Sequence, residues 1–221
     1  MEIPICERFL SFQGEGCSVG RLAYFVRVQG CNLKCSFCDS KYALKAGGKK
    51  EHTEDIAEAY NIIPGDPLLV ITGGEPLLYP RAVELILLQS HGAKEVETNG
   101  TIFPPDSLSD EVNTFNVSPK LASSGVPGKL AIKKYILEFF NERVGKSIFK
   151  FVIKTREDWQ QMEAIIKDVQ IDPGDVWVMP EGKTPDKIRT GSLKWIDEIK
   201  AHGYNLSPRY HVMLYGNKRG I

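Results

Sequence analysis

The sequence predicts an α/β chain folded as an open or partial (β/α)6-type barrel, with a doubly wound sheet as the rival arrangement. Three observations carry this. Short apolar runs alternate with amphipathic stretches along most of the chain. The runs are rich in β-branched and aromatic residues and are bounded by turn formers, which marks them as strands. Alternation of strand and helix implies parallel strands with crossover helices, and six or so such units fit 221 residues as one domain, 1–221. In either arrangement a site belongs at the C-terminal ends of the strands, where the βα loops gather.

In chain order, strands are expected at 22–28, 68–72, 95–98, 114–117, 149–153, 176–179 and 210–214. Helices are expected between them. Residues 54–60 follow Thr53, whose hydroxyl is a capping acceptor for unpaired N–H groups. Residues 80–89 open on Pro80 and present Val83, Leu87 and Leu88 on one face. Residues 130–141, 156–169 and 185–201 complete the set. Two connections are long. Residues 30–52 hold Cys31, Cys35, Cys38 and the basic run 45–50, of which 47–50 read as mobile and solvated. Residues 118–130 are rich in Ser and Gly.

Composition narrows the function classes. Hydrophobic residues make up 42% and charged residues 25%, which suits a soluble globular chain. Lys plus Arg equals Asp plus Glu, 28 against 28, so no excess charge favours non-specific binding to nucleic acid or an anionic membrane. No run of about 18 apolar residues marks a transmembrane helix. Residues 1–10 lack the apolar core of a signal peptide, so a cytoplasmic location is expected. Five cysteines, three of them clustered, point in a reducing compartment to metal or redox chemistry rather than disulfides.

The cluster reads Cys31-Asn-Leu-Lys-Cys35-Ser-Phe-Cys38, directly after the strand 22–28. Thiolates select iron–sulfur clusters, zinc or Cu(I). A closed zinc site needs four ligands, and neither Cys17 nor His52 has the usual paired spacing to supply the fourth. Four cysteines complete a cubane for electron transfer, whereas three leave one iron open to a ligand. Cys6 and Cys17 are expected to be small buried hydrophobes or inert thiols. A zinc knuckle or an electron carrier remains the rival class.

Other residues gather at strand ends. Gly73-Gly74-Glu75-Pro76 follows 68–72, where glycines permit close backbone approach; alone it is also a plain strand-to-helix turn. Glu97-Thr98-Asn99-Gly100-Thr101 ends the next strand, and Asn-Gly is itself a turn signal. Ser118-Pro119-Lys120 ends the one after, and Lys120 is either solvated or a ligand contact. The polar pair Gln13 and Glu15 reads by itself as a surface turn, and Arg27 as a surface ion pair. Ser40 reads as a cap of the turn after the cysteines.

Cx3CxΦC, with Phe37 before the last cysteine, resembles the signature of the radical S-adenosylmethionine superfamily. The resemblance implies a partial TIM barrel of the radical SAM kind with extra N- and C-terminal segments. It also implies a [4Fe–4S] cluster on Cys31, Cys35 and Cys38, with S-adenosylmethionine on the open iron. Phe37, Cys38 and Asp39 would contact the cofactor; Gly74 and Glu75 would hold its amine. Ser118, Pro119 and Lys120 would meet its carboxylate or ribose, and Met179, Pro180, Glu181 and Gly182 its adenine.

Ser11-Phe12-Gln13-Gly14-Glu15-Gly16, Gly20-Arg21 and Phe25-Val26-Arg27-Val28-Gln29-Gly30 resemble 7-carboxy-7-deazaguanine synthases, as does the tail Tyr215-Gly216-Asn217-Lys218-Arg219-Gly220, with tyrosine where that family has tryptophan. The resemblance implies ring contraction of 6-carboxy-5,6,7,8-tetrahydropterin to 7-carboxy-7-deazaguanine with loss of ammonia, begun by hydrogen abstraction at C6. It assigns Phe12, Gln13, Gly14, Glu15, Arg27 and Thr72 to the pterin, and Ser40, in place of the family's threonine, to Mg²⁺. It further implies a reductant such as flavodoxin or ferredoxin, and a homodimer. A glycine-abstracting activase shares the cysteine spacing but has no need of the Phe12–Gly16 segment.

Overall fold

The computed structural model describes residues 1–143, 145–216 and 218–220. One nine-stranded sheet organises them. Strand β1 (Glu2–Phe12) pairs antiparallel with β2 (Leu22–Val28) on one side and β3 (Lys49–His52) on the other. From β2 the sheet runs parallel through β4 (Leu68–Gly73), β5 (Lys94–Thr98), β6 (Thr114–Val117), β7 (Ser147–Ile153), β8 (Val176–Pro180) and β9 (Asn205–Leu206).

The parallel strands are neighbours in chain order, with no reversal. A doubly wound sheet reverses its order at a switch point; this one winds in one direction and stays open, so the partial barrel holds. The crossovers are α1 (Thr53–Asn61), α2 (Pro80–Gln89), α3 (Asp106–Glu111), α4 (Gly128–Ala131) with α5 (Lys134–Asn141), α6 (Arg156–Val169) and α7 (Pro185–Ala201). A last helix, α8 (Tyr210–Tyr215), follows β9. Among the described residues no helix is long and apolar enough to cross a membrane.

Period-two alternation sorts the strands' side chains between two faces. On the helix side Val26, Val28, Leu69, Ile71, Val96, Phe115, Val117, Phe149 and Phe151 pack with α1, α2, α5 and α6 into the main core. On the concave side Ala23, Phe25, Leu68 and Val70 form a small plug with Phe9. Above it the same face turns polar, and register sets Arg27 beside Thr72 and Glu97 beside Asn116. Phe115 has no exposed surface and packs at a tilt against Phe140, ring centroids 5.1 Å apart. Phe115→Ala is expected to cost about 3–5 kcal/mol, read from the denaturant midpoint.

Five expectations need correction. Residues 210–214 are helical, not a strand: a five-residue apolar run carries no decisive period, and only Val212 is buried there. The last strand is instead the two-residue β9. Residues 130–141 form two helices, because Ile132 and Lys133 take extended angles (φ −118° at both). Thr53 is the first residue of α1 rather than its cap; His52 caps it, without a side-chain bond. Residues 49–50 belong to β3, an edge strand whose lysines suit an exposed sheet margin. Strand β1 itself escaped notice because Glu2, Pro4, Glu7 and Arg8 interrupt its apolar residues. Cys6 is half-buried and Cys17 is exposed, so Cys17 is no buried hydrophobe.

Candidate active site

The cysteine loop leaves β2 at Gly30, which has φ +102° and donates its N–H to Ala43 O at 2.7 Å. Gly73 and Gly74 pack against it. A Cβ on Gly74 would lie 2.0 Å from Gly30 O, and one on Gly73 2.5 Å from Val28 O. Crossing of two backbones, rather than a ligand, is what demands these glycines. Glu75 N then donates to Gly30 O at 2.8 Å. The Glu75 carboxylate is fully buried and accepts from Leu77 N, Thr98 Oγ1 and Asn99 N at 2.8–3.0 Å. Burial pushes its pKa up against those bonds. It therefore shapes the strand ends from behind.

Cys31, Cys35 and Cys38 line one cavity of about 190 Å³ at the C-terminal ends of the strands. Burial pushes all three thiols up; Lys120 pulls each the other way. Cys31 Sγ accepts from Leu33 N at 3.4 Å and from Asn99 Nδ2 at 4.0 Å. Among the described residues no three His, Cys, Asp or Glu side chains converge tightly enough to hold a single metal ion. Three thiols on one cavity wall are fewer than the four ligands of a closed zinc site and suit a cubane, whose thiolates sit on different irons. Cys6 and Cys17 do not line this cavity. The donor set, three thiols and no fourth, fits a cluster with one open iron.

Phe37, Asp39, Gly74, Ser118, Lys120, Met179, Glu181 and Gly182 line the same cavity. Glu75, Pro119 and Pro180 do not. Lys120 Nζ donates to Ser118 Oγ at 2.8 Å, and burial pushes its ammonium pKa down.

A second cavity of about 450 Å³ opens between β1 and the C-terminal residues. The two share a wall of Glu15, Arg27, Cys38, Asp39, Ser40, Glu97 and Arg209. Phe12, Gln13 and Gly14 line the larger one, and Thr72 the smaller. Arg27 Nε donates to Glu7 Oε1 at 2.8 Å. Burial opposes the Arg27 charge, but Tyr42 and Glu7 more than offset it. Ser40 Oγ donates to Asp39 Oδ1 at 3.0 Å.

Several expected readers are already bonded within the chain. Gln13 Nε2 donates to Glu95 Oε1 (3.0 Å) and Glu97 Oε1 (3.1 Å), while Gln13 Oε1 accepts from Gly14 N and Glu15 N. Thr72 Oγ1 donates to Glu97 Oε2 at 2.6 Å. Glu15 takes Lys150 Nζ at 2.5 Å and Arg209 Nε at 3.1 Å. Arg209 also donates to Gly182 O at 2.9 Å and to Asp39. Burial alone would raise the Glu15 pKa; Lys150 and Arg209 outweigh it and hold the carboxyl well below the usual range. Gly14 O accepts from Tyr210 N, and His211 lies against Gly14. Burial pushes the His211 pKa down, so the ring is neutral at pH 7.

Lys150, Glu97, Arg209, His211, Glu7 and Tyr42 were not assigned roles from sequence. Glu97 stands in the segment Glu97–Thr101 at a strand end, and Lys150 is one lysine inside the apolar run 149–153. The tail residues Lys218, Arg219 and Gly220 line the larger cavity, and Arg219 Nε donates to Glu7 Oε2 at 2.7 Å; Asn217 lies outside the described residues.

Glu95 is a further buried acid, bonded by Gln13, Asn116 and Ser18. Burial and the neighbouring Glu97 push its pKa up to about 7. The unfolded chain releases this proton near pH 4.5, so the folded state binds more protons across that window and stability falls as pH rises through it. Glu95→Gln removes the penalty. The variant is expected to exceed the wild type by roughly 2–3 kcal/mol at pH 8 and to lose that advantage by about pH 4, in urea melts at both values.

The Radical SAM superfamily model matches residues 25–124. A 7-carboxy-7-deazaguanine synthase of Pyrobaculum aerophilum is 34% identical over 99% of this chain and 97% of its own length. The one from Halobacterium salinarum is 33% identical over 97% and 91%. Among solved structures, QueE from Escherichia coli superposes with a TM-score of 0.70 at 23% identity, covering 96% of this chain and 95% of that one.

Proposed function

Since the chain belongs to the 7-carboxy-7-deazaguanine synthase family of radical S-adenosylmethionine enzymes, we propose that its two joined cavities divide cofactor and substrate between them. The observation that carries this is their common wall of Glu15, Arg27, Cys38, Asp39, Ser40, Glu97 and Arg209. The smaller cavity, floored by the cysteines, takes S-adenosylmethionine; the larger takes the carboxypterin. Cys31, Cys35 and Cys38 would hold three irons of a [4Fe–4S] cluster and leave the fourth open to the cofactor. When bound, cluster and cofactor together supply one-electron cleavage to a 5′-deoxyadenosyl radical.

The chain's own residues hold the substrate. The net change, carboxytetrahydropterin to 7-carboxy-7-deazaguanine plus ammonia, is redox-neutral and classes the enzyme as a carbon–nitrogen lyase. Arg27 keeps its guanidinium edge for the substrate carboxylate while Nε stays fixed on Glu7, since a fork held at one nitrogen loses little freedom on binding. Lys150 and Arg209, balanced by Glu15 and Asp39, keep the wall polar without an excess charge. Gln13 and Thr72 act by orienting Glu97, which faces both cavities. The neutral His211 ring offers one donor and one acceptor to a heterocycle.

Ser40, on this shared wall, would offer its hydroxyl oxygen to Mg²⁺; the same oxygen bonds Asp39 Oδ1 at 3.0 Å. A cytoplasmic homodimer reduced by flavodoxin or ferredoxin completes the reading. Anaerobic incubation of the iron-loaded protein with carboxypterin, S-adenosylmethionine and dithionite should yield the deazapurine by mass. An intact cluster without that product sinks the substrate assignment.

A further inference from the structure

Three polar side chains close a hydrogen-bonded ring beside Cys31, and none of them lines the substrate cavity. Asn99 and Thr101 follow β5 and are buried; Asn32 stands next to Cys31 in the loop and is exposed. Asn99 Oδ1 accepts from Thr101 N at 3.0 Å and from Thr101 Oγ1 at 2.5 Å. Thr101 Oγ1 accepts in turn from Asn32 Nδ2 at 2.8 Å. Asn99 Nδ2 donates to Asn32 Oδ1 at 2.9 Å and lies 4.0 Å from Cys31 Sγ. The Asn99 backbone is held as well, since its N–H donates to the buried Glu75 carboxylate at 2.8 Å.

This ring fixes which way the Asn99 amide points. A backbone N–H only donates, so the atom that Thr101 N meets on Asn99 is the oxygen. The amide nitrogen therefore faces the cysteine loop, and it carries two hydrogens. Asn32 Oδ1 takes one; the other faces Cys31 Sγ, which also accepts from Leu33 N at 3.4 Å. An ionised sulfur is a stronger acceptor than a thiol, so this contact gains strength once Cys31 is a thiolate ligand.

We propose that Asn99 raises the reduction potential of the cluster by directing this N–H at the sulfur of Cys31; the inference rests on the cluster reading above. Reduction adds one electron, supplied by a low-potential reductant such as dithionite, and no bond to the protein forms or breaks. The added negative charge spreads over iron and sulfur. A donor on a ligating sulfur stabilises the reduced form more than the oxidised one. Asn99 is thus a positioning residue, acting through Cys31. Asn32 and Thr101 hold the amide in the one orientation that presents the donor.

The probe is the iron-loaded full chain, reduced with dithionite and followed by electron paramagnetic resonance of the reduced cluster. The variants are Asn99→Ala, which removes the donor, and Asn99→Asp, which puts a carboxylate oxygen in its place. Asn32→Ala is the control: it cuts the tie to the loop but leaves Asn99 held by Thr101 and Glu75. At a fixed poised potential the ratio of reduced to oxidised cluster should fall roughly three- to tenfold in Asn99→Ala, the size of one lost bond to a charged group. It should fall further in Asn99→Asp and stay near wild type in Asn32→Ala. Iron content should match wild type in all three. Turnover of the Asn99 variants should drop with dithionite and recover with the stronger reductant titanium(III) citrate. An unchanged ratio in both Asn99 variants, an equal fall in Asn32→Ala, or loss of iron from both Asn99 variants overturns the proposal. A wild type that assembles no reducible iron–sulfur cluster overturns the reading beneath it instead.

Discussion

Alanine at any one of Cys31, Cys35 or Cys38 is expected to abolish product formation, a loss of about 10³-fold or more. Iron content should fall with it. A cubane held by three thiolates has no spare ligand, so removing one leaves an iron exposed to water and the cluster falls apart. The matching control is sharp. Cys6 sits on β1 and Cys17 is exposed, and neither lines the cofactor cavity. Alanine at both should preserve iron, the brown absorbance and turnover. If the Cys6 and Cys17 variant lost iron while the loop cysteines proved dispensable, a four-thiolate carrier would be the better account. Iron assay, visible absorbance and anaerobic turnover on the same preparations decide the matter.

Glu15→Gln should be the most damaging single change among the acidic residues. The carboxylate lies between the buried Lys150 and Arg209, at 2.5 and 3.1 Å. The amide keeps the shape but leaves two buried cations short of a counter-charge, which costs about 3–5 kcal/mol. The pH dependence has a definite sign. Glu15 has a depressed folded pKa, so its contribution is fully present above about pH 4.5, the ordinary glutamate value. It is lost as pH falls through the lower folded value. The gap between wild type and variant should therefore be wide at pH 7 and narrow steadily below pH 4.5, as followed by urea melts. A gap that did not change with pH would show that the amide's packing, not the lost charge, is at fault. Turnover should fall too, because Arg209 is anchored by Glu15 on one side and by Asp39 and Gly182 on the other.

How much of this the sequence discloses differs by residue. Phe37, Cys38, Asp39, Ser118, Lys120, Met179, Glu181 and Gly182 all reach the cofactor cavity, because each follows a recognisable strand and the C-terminal ends of parallel strands converge. Gln13, Glu15 and Thr72 reach the cavity walls, yet their side chains hold other chain atoms. Residue type alone does not say whether a polar group faces a ligand or a neighbour. Arg27 shows the intermediate case: its inward direction follows from strand alternation, while its anchor on Glu7 depends on β1, a strand whose charged residues hide its period. The misreading of 210–214 has the same root. Tyr210 N bonds Gly14 O, nearly two hundred residues away, and that contact sets the backbone there more than local preference does.

The sequence by itself determined what is local: the eight-residue cysteine spacing, the glycine pair after a strand, and the alternation that makes a one-way parallel sheet. Those are written in neighbouring residues and survive without knowledge of distant partners. Only the tertiary structure decided what Glu15 does, since its partners lie 135 and 194 positions along the chain. The same holds for Gln13 between Glu95 and Glu97. The reason is physical. A buried charge is tolerable only with a counter-charge at bonding distance, and which residue supplies it is fixed by the winding of the whole sheet, not by any short stretch of chain.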